Sequence, residues 1–249
     1  AITKKTKAIM PVHWTGKICE MDKIMKIAQK NKLYVIEDAA QGMGSFYKNK
    51  HAGTFGDIAA FSAHPLKNLN AIGDGGFVIT NNEKLYKKIN LYRNHGIKSR
   101  DYVEFFGVNS RLDSLNAEIL SFRLKKLKSI ISKRRKNVSL YRKYLETDKV
   151  ILPKEDINNF QPYVMMITKC YKRDKLQKYL HENNIPSLIY YGTPLHLHKA
   201  SKKLKIKNNN LTNAERIAHQ VLSFPHHQYL KENQIKYICN QINKFYKNV

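Results

Sequence analysis

Apolar runs alternate with helical patterns through the first half of the chain. Buried strands are predicted at four short apolar runs, residues 7–12, 33–40, 57–63 and 76–81. Between the first two runs, a helix is predicted by apolar residues at helical spacing: Met21, Ile24, Met25 and Ala28. Acids near its start and lysines near its end suit the helix dipole. Strands that alternate with helices predict an α/β fold, with a mostly parallel sheet covered on both faces.

The second half of the chain changes to longer helical patterns. One long helix is predicted from an apolar stripe that continues weakly to Tyr144: Leu112, Leu115, Ile119, Phe122, Leu127, Ile130 and Ile131. Pro153 ends that region. The remainder, with a helical pattern near residue 175 and a closing helix over 232–246, predicts a smaller α+β domain.

Composition narrows the class of protein. With 249 residues, 42% of them apolar, the chain is long enough and apolar enough for a globular protein. No segment approaches the apolar length of a membrane span, and the first residues lack the apolar core of a signal peptide. The three cysteines, Cys19, Cys170 and Cys239, are far apart and favour neither a disulfide framework nor a zinc site. We therefore expect a cytoplasmic protein that does not enter a membrane.

The net charge of +26 is the unusual bulk property. Basic residues are scattered over most helical stretches and are densest at 126–136 and 199–207, which is typical of solvated faces. No reading helix, RNA-binding aromatic motif or zinc finger accompanies them, so we expect no specific nucleic-acid partner. The paired histidines at 196 and 198 and at 226 and 227 lack an acid or cysteine nearby in sequence, which favours loop histidines over metal ligands.

Candidate chemistry lies where two predicted strands end. Glu37 and Asp38 close the run at 33–40, and Lys67 follows the run at 57–63. Ligands of open parallel sheets sit beyond the carboxyl ends of the strands. A carboxylate and a lysine on neighbouring strand ends are what pyridoxal phosphate requires, because the acid keeps the pyridine nitrogen protonated and the lysine holds the aldehyde as a Schiff base. The alternatives are a helix-capping aspartate and a solvated lysine.

The setting of Lys67 bears on its protonation. To act as nucleophile and base, the amine has to lose its proton, and burial lowers the pKa of a lysine. We expect that burial from Pro65 and Leu66 on one side and Leu69 on the other. The glycines of IGDGG, residues 72–76, allow a sharp turn and close packing against a cofactor or a neighbouring subunit.

Three motifs together are similar to those of one enzyme family. EDAAQ at 37–41, FGDIAAFS at 55–62, and KNL with GDGG between 67 and 76 resemble the cofactor core of the DegT/DnrJ/StrS sugar aminotransferases. The similarity covers nearly the whole chain, from TKAIMPVHWTG to LSFPHHQYLKENQI. It implies the aspartate-aminotransferase fold with pyridoxal 5'-phosphate as cofactor. Residues 1–130 would form the C-terminal portion of the cofactor-binding large domain, and residues 131–249 the linking helix and the small α+β domain.

The resemblance also implies roles for individual residues. Lys67 would be the Schiff-base lysine and the base, Asp38 would pair with the pyridine nitrogen, and Gln41 would lie beside the ring. Ser62 would bind the phosphate. Asn109, in GVNSRLD, would reach the phosphate of the neighbouring subunit's cofactor, which implies a homodimer with shared active sites. The loop YYGTPLH would contact the nucleotide-sugar through Tyr190, Tyr191 and His196, with Tyr190 in place of the commoner histidine.

The activity implied is transfer of an amino group from an amino acid, commonly glutamate, to a keto-sugar linked to a nucleotide diphosphate. Lysine at position 67, where sugar dehydratases of the family have histidine, favours transamination. The alternative is a non-catalytic or truncated aminotransferase-like partner subunit. The family's large domain begins well before the segment equivalent to Ala1, so its Gly-Thr/Ser phosphate loop and its stacking aromatic residue are expected outside this sequence. We accordingly expect weak or absent activity for this chain alone.

Overall fold

The structure, a computed structural model, describes residues 1–204 and 211–249. Its helices are α1 (Met21–Lys30), α2 (Glu83–Tyr92), α3 (Ser114–Leu124), α4 (Leu127–Tyr144), α5 (Arg173–Glu182), α6 (Lys199–Lys203), α7 (Thr212–Ala218) and α8 (Glu232–Lys247). Its strands are β1 (Ala8–Ile9), β2 (Tyr34–Asp38), β3 (Phe46–Tyr47), β4 (Lys50–His51), β5 (Ile58–Ser62), β6 (Gly76–Ile79), β7 (Ile97–Ser99), β8 (Tyr102–Val103), β9 (Val150–Ile151), β10 (Asn159–Phe160), β11 (Ile167–Cys170) and β12 (Val221–Ser223). They form two compact units, residues 1–132 with 155–164, and residues 133–154 with 165–249.

The main sheet of the first unit has the strand order β1-β2-β5-β6. The pairs β1–β2 and β2–β5 are parallel, and β5–β6 is antiparallel. The predicted α/β fold with a mostly parallel sheet is therefore confirmed. The last pairing depends on Gly76, since a Cβ there would lie 2.5 Å from the carbonyl oxygen of Phe61. A larger residue would push β6 away from β5.

The edge of this sheet differs from the prediction of strands covered on both faces. The run at 7–12 forms only the two-residue β1 and a bridge from Val12 to Asp38. Met10 is 61% exposed, and Tyr34, in the neighbouring β2, is 65% exposed. Among the residues that the structure describes, β1 pairs with β2 alone and forms that edge of the sheet.

The predicted single helix from residue 112 to 144 is also wrong, because α3 and α4 are separated at Lys125 and Lys126. The break changes the rotation of the following turns, so one apolar stripe does not continue through both helices. Leu115 is 75% exposed and Phe122 is exposed, although both belong to the predicted stripe. Leu120 is the residue of α3 that is buried.

The second unit is α+β in content. Its sheet has the order β12-β11-β9 with antiparallel pairs throughout, and α5 packs against α8. Leu176 and Leu180 of α5 and Ile235 and Ile242 of α8 are fully buried. The basic run at 199–207 lies partly outside the described residues. Within the residues that the structure describes, every helix is too short or too polar to cross a membrane.

Candidate active site

The carboxyl ends of β2 and β5 bring two polar side chains to one edge of the main sheet. In the parallel register Asp38 lies opposite Ala60, two residues before Ser62. The pairing continues one step further, because the amide of Ala39 donates to the carbonyl of Ala60 over 3.0 Å. Asp38 and Ser62 therefore lie at the edge of the sheet where parallel folds bind ligands.

The backbone of Asp38 is held on both sides. Its amide donates to the carbonyl of Pro11 over 2.9 Å, and its carbonyl accepts from the amide of His13 over 3.0 Å. The side chain is half-buried, and its Oδ1 accepts a hydrogen bond of 3.1 Å from the amide of Ala40. Because one oxygen is held by the backbone, the carboxylate has a defined direction at the strand end.

A buried ion pair lies directly behind this edge. His13 Nε2 lies 2.8 Å from Glu37 Oε2, and both side chains are 0% exposed. The Glu37 carboxylate also accepts from three backbone amides, those of Gly53 at 2.7 Å, Phe55 at 2.7 Å and Gly56 at 2.6 Å. One carboxylate thus ties the segment after β1, the end of β2 and the loop before β5 together. Since side chains alternate along a strand, Glu37 faces away from the side that carries Asp38.

Both partners of this pair have shifted pKa values. Burial by itself lowers the pKa of His13, but hydrogen bonds with Cys19 and Glu37 and the charge of Glu37 outweigh it and raise the pKa to about 9. Burial raises the pKa of Glu37, but the hydrogen bonds from His13 and from the three amides outweigh that effect and lower it. At neutral pH the pair is therefore an imidazolium and a carboxylate.

The raised pKa of His13 gives the first unit a pH-dependent stability. The folded chain holds this proton up to about pH 9, whereas an unfolded histidine releases it near its ordinary value of 6.5. The contribution is therefore complete below pH 6.5 and is lost as the pH rises through 9, a loss of about 3 kcal/mol. Urea unfolding followed by the fluorescence of Trp14, the single tryptophan, measures it in the same unit. Subtracting the pH profile of His13→Gln removes the contribution of every other group, and a zero difference between the profiles would contradict the assignment.

Lys67 lies in a tight loop that begins at the end of β5. Its amide donates to the carbonyl of His64 over 2.9 Å, and the amide of His64 in turn donates to Ser62 Oγ over 3.2 Å. The amide of Ala71 closes the loop by donating to the carbonyl of Ala63 over 2.7 Å. Lys67 is thus carried at a fixed place just beyond the strand end, as its position in the sequence predicts.

Burial lowers the pKa of the Lys67 amine, and the negative charge of Asp38 opposes part of this shift. The two side chains are therefore near enough to interact electrostatically. The expected source of the burial is wrong in part, because Pro65 and Leu66 are exposed and only Leu69 is buried. An amine that gives up its proton more readily than an ordinary lysine is suited to act as a nucleophile and base.

Ser62 and Gln41 lie close to these groups in the chain. Ser62 Oγ accepts from the backbone, a bond that does not use the hydroxyl proton. Gln41 follows Asp38 by three residues, and its Oε1 accepts from the amide of Thr15 over 2.5 Å. This bond fixes the direction of the Gln41 amide group. Amine, carboxylate and hydroxyl at neighbouring strand ends are a donor and acceptor set that fits pyridoxal phosphate.

The remaining predicted residues lie elsewhere. Asn109 is exposed, forms a bridge with Asn94, and its Oδ1 accepts from Arg111 Nε over 3.1 Å. In the second unit, Tyr190 is half-buried and Tyr191 is exposed with a φ of 59°. His196 Nε2 lies 2.9 Å from Glu215 Oε1 in the same unit. His196 thus has an acidic neighbour in space that the sequence did not reveal, since Glu215 follows it by 19 residues.

This fold and set of side chains define a class, the pyridoxal-phosphate-dependent aminotransferases, and a comparison with known proteins gives the family. The model of the DegT/DnrJ/EryC1/StrS aminotransferase family matches residues 1–243. The chain belongs to this family, which confirms the resemblance inferred from the motifs and its cofactor, pyridoxal phosphate.

Individual relatives agree with the assignment. The chain is 41% identical to the pleiotropic regulatory protein of Geobacillus stearothermophilus, covering 100% of this chain and 68% of the relative. It is 36% identical to the dTDP-3-amino-3,6-dideoxy-alpha-D-galactopyranose transaminase of Aneurinibacillus thermoaerophilus, over 98% of this chain and 67% of the relative. Among solved structures, DesV of S. venezuelae in complex with a ketimine intermediate is 32% identical, with a TM-score of 0.94 over 100% of this chain and 67% of that one. The chain spans from 62% to 68% of the length of such curated relatives.

Proposed function

We propose that this protein is an aminotransferase that uses pyridoxal phosphate to move an amino group from an amino acid to a keto-sugar carried by a nucleotide diphosphate. The observation that supports the proposal is the electrostatic interaction between the Lys67 amine, whose pKa is lowered, and Asp38 at the end of β2, the strand that pairs with β5. The name of the transaminase from Aneurinibacillus thermoaerophilus, which acts on a dTDP-linked amino sugar, supports the substrate class.

In this proposal Lys67 and Asp38 perform the central roles. When bound, pyridoxal phosphate supplies a carbonyl that takes up the amino group and a ring that withdraws electrons from the reacting carbon. Lys67 acts as the nucleophile that anchors the cofactor, and its amine then moves the proton to and from the substrate carbon. Asp38, its direction set by the Ala40 amide, holds a proton on the ring nitrogen. Partial burial lowers the pKa of the Lys67 amine, which favours its unprotonated form.

The neighbouring polar groups would bind and orient the cofactor. Ser62 donates its hydroxyl proton to the phosphate, while the amide of His64 fixes the direction of the oxygen. Gln41, held by the amide of Thr15, borders the ring. Asn109 is exposed and contacts Arg111, which suits a contact with the phosphate bound by a second copy of the chain. The functional form would then be a homodimer with shared active sites.

The substrate would be recognised by the loop after residue 189. Tyr190 and Tyr191 offer aromatic faces and hydroxyl groups to a nucleotide-sugar, and the His196 ring is held by Glu215. The net charge of +26 favours the approach of an anionic diphosphate, and added salt weakens this attraction. Glutamate is the proposed amino donor, and the cytoplasm is the proposed location.

Fixation of the cofactor tests the proposal directly. With excess pyridoxal phosphate, we expect a new absorbance band that borohydride removes, because hydride makes the link to the lysine permanent. Peptide mapping should then place the label on Lys67 in large excess over Lys88, an exposed lysine of α2. An even distribution of label over the exposed lysines would overturn the proposal.

A second candidate function is that of a non-catalytic partner or regulatory protein. The observation that favours it is the name of the 41% identical relative, a pleiotropic regulatory protein. A fold can persist after its chemistry is lost, so the name carries weight. The two candidates differ at Lys67, since a protein without catalysis has no need of a lysine with a lowered pKa. Selective fixation of the cofactor there supports the enzyme, and its absence supports the regulatory protein.

A further inference from the structure

One face of α3 carries three side chains that meet the loop containing Lys67. Asn116, Leu120 and Arg123 follow one another at intervals of four and three residues, so they share this face of the helix. Asn116 Oδ1 accepts from the amide of Ile72 over 3.0 Å. Arg123 Nη1 donates to the carbonyl of Asn70 over 2.5 Å and to that of Ala71 over 3.3 Å. The helix therefore holds the returning limb of the loop by polar contacts at both ends of the face.

Apolar packing fills the space between these polar contacts. Leu120 is 8% exposed and belongs to one buried cluster with Ala63, Leu69 and Ala71. Ala63 lies at the start of the loop, Leu69 lies two residues after Lys67, and Ala71 lies at the close of the loop. The start and the returning limb of the loop thus pack with α3, and the contacts of Arg123 lie only three and four residues after Lys67.

Other hydrogen bonds also hold the loop, among them one from Asn68 Nδ2 to the carbonyl of Pro162 over 3.2 Å. The base of the loop is joined by the bond between Ala71 and Ala63, and Asn70 Nδ2 donates across the loop to the carbonyl of Pro65 over 2.7 Å. The bond at the base of the loop involves Ala71, and the bond across the loop involves Asn70. The carbonyls of these two residues accept from Arg123. The guanidinium is the charged donor at this point, and a charged donor forms a stronger hydrogen bond than a neutral one.

We propose that Arg123 is a positioning residue for Lys67, which keeps the closing end of the loop on α3 and thereby holds the amine at the ends of β2 and β5. The inference rests on the proposed function, because it assigns Arg123 a part in presenting the lysine of that reaction. Arg123 itself makes its contacts with backbone carbonyls, at a distance from the reacting atoms. Its effect is on the burial of the lysine side chain and on the direction of its amine.

Competitive acetylation tests this role in the chain without cofactor. A limiting amount of acetic anhydride labels each lysine according to its unprotonated fraction, and mass spectrometry over a pH series gives an apparent pKa for Lys67 relative to the exposed Lys88. In the wild-type chain we expect Lys67 to titrate below the ordinary value of a lysine, since burial lowers the pKa of its amine. In Arg123→Met, which keeps the length but removes the donors, the loop is released and Lys67 should titrate closer to the ordinary value of a lysine. A rise of one pKa unit lowers the free-amine fraction about tenfold.

The yield of cofactor fixed by borohydride is the second measurement. We expect it to fall by about tenfold to a hundredfold at Lys67 in Arg123→Met, because a misdirected amine reacts poorly. Arg123→Lys, which keeps a cationic donor, should recover part of the yield. Lys125→Met is the matched control, since it removes one positive charge just after the same helix at an exposed site, and it should behave as wild type.

The outcomes separate this inference from the proposed function. If the wild-type chain fixes no cofactor at Lys67, the proposed function fails. If it does, and folded Arg123→Met shows the wild-type titration of Lys67 and the wild-type yield, the positioning role is overturned. A purely structural role would lower the stability of the variant without moving the titration. Should Arg123→Met fail to fold, Arg123→Gln, a shorter and neutral donor, permits the same comparison, and unchanged behaviour there would equally overturn the role.

Discussion

Replacement of Lys67 by alanine is expected to abolish fixation of pyridoxal phosphate and to lower transamination by at least about a thousandfold, while the chain stays folded. The size of the effect follows from the loss of both the nucleophile and the proton carrier in one side chain. The fold should be unaffected because Lys67 is half-buried and its hydrogen bond to the carbonyl of His64 is made by its backbone amide. The measurements are the yield of borohydride-fixed cofactor, the rate with glutamate and a nucleotide-linked keto-sugar, and the far-ultraviolet circular dichroism.

Two further variants separate the chemistry of Lys67 from its charge. Lys67→Arg keeps a positive charge beside Asp38 but has a guanidinium that does not lose its proton, so it should be as inactive as Lys67→Ala. Lys88→Ala, at an exposed site on α2, should keep the full yield of fixed cofactor. Undiminished fixation or turnover in Lys67→Ala would remove this residue from the reaction.

Replacement of Glu37 by glutamine is expected to lower the free energy of unfolding of the first unit by about 3–5 kcal/mol, as is typical when one partner of a buried ion pair is removed. The amide has the size of the carboxylate, so no cavity forms. The substitution leaves the His13 cation without its counter-charge. The NH₂ group of the glutamine is a donor, and it lies against backbone amides that donate to the carboxylate in the wild-type chain. Urea unfolding followed by Trp14 fluorescence measures the change in midpoint at constant slope.

A double-mutant cycle and a surface control test whether the pair itself is responsible. Once Glu37 is glutamine, the additional cost of His13→Gln should be much smaller than in the wild-type chain, because the partner charge has already gone. Glu104→Gln removes an exposed acid that lies 3.4 Å from Lys98, and it should leave the midpoint unchanged within error. Equal effects of Glu37→Gln and Glu104→Gln on the midpoint would show that the buried pair contributes no more to stability than an exposed pair.

The sequence predicts the four strands of the main sheet and α1 because their apolar spacing is strong over short distances. It does not predict α2 or the two- and three-residue strands of the first unit. It fails where burial depends on a distant neighbour. Met10 and Tyr34 belong to apolar runs of the kind that form covered strands, yet both are exposed. The break at Lys125 and Lys126 is hidden for a similar reason, since lysines are good helix formers and neither glycine nor proline marks the end of α3.

The candidate site, too, can be predicted from the sequence where it depends on local pattern and not where it depends on distant contacts. Asp38 and Lys67 are predictable because each follows a strand, and parallel strands end at the same edge. The partnership of His13 with Glu37 is not predictable by such a rule, although the histidine in VHW and the acid before Asp38 are visible signals. Arg123 was missed because its partners are backbone carbonyls, which leave no trace in the identity of residues 70 and 71.

The segment at 155–164 has a consequence for how the chain acquires its structure. Asn159 donates to the carbonyl of Ile18 over 2.6 Å and accepts from its amide over 3.2 Å, across a separation of 141 residues. During synthesis the first unit therefore cannot make its last internal contacts until the ribosome has passed well beyond α4. Contacts between residues so distant along the chain close slowly, and surfaces around Ile18 remain open meanwhile. Chaperones would have their best opportunity to engage the nascent chain in that interval.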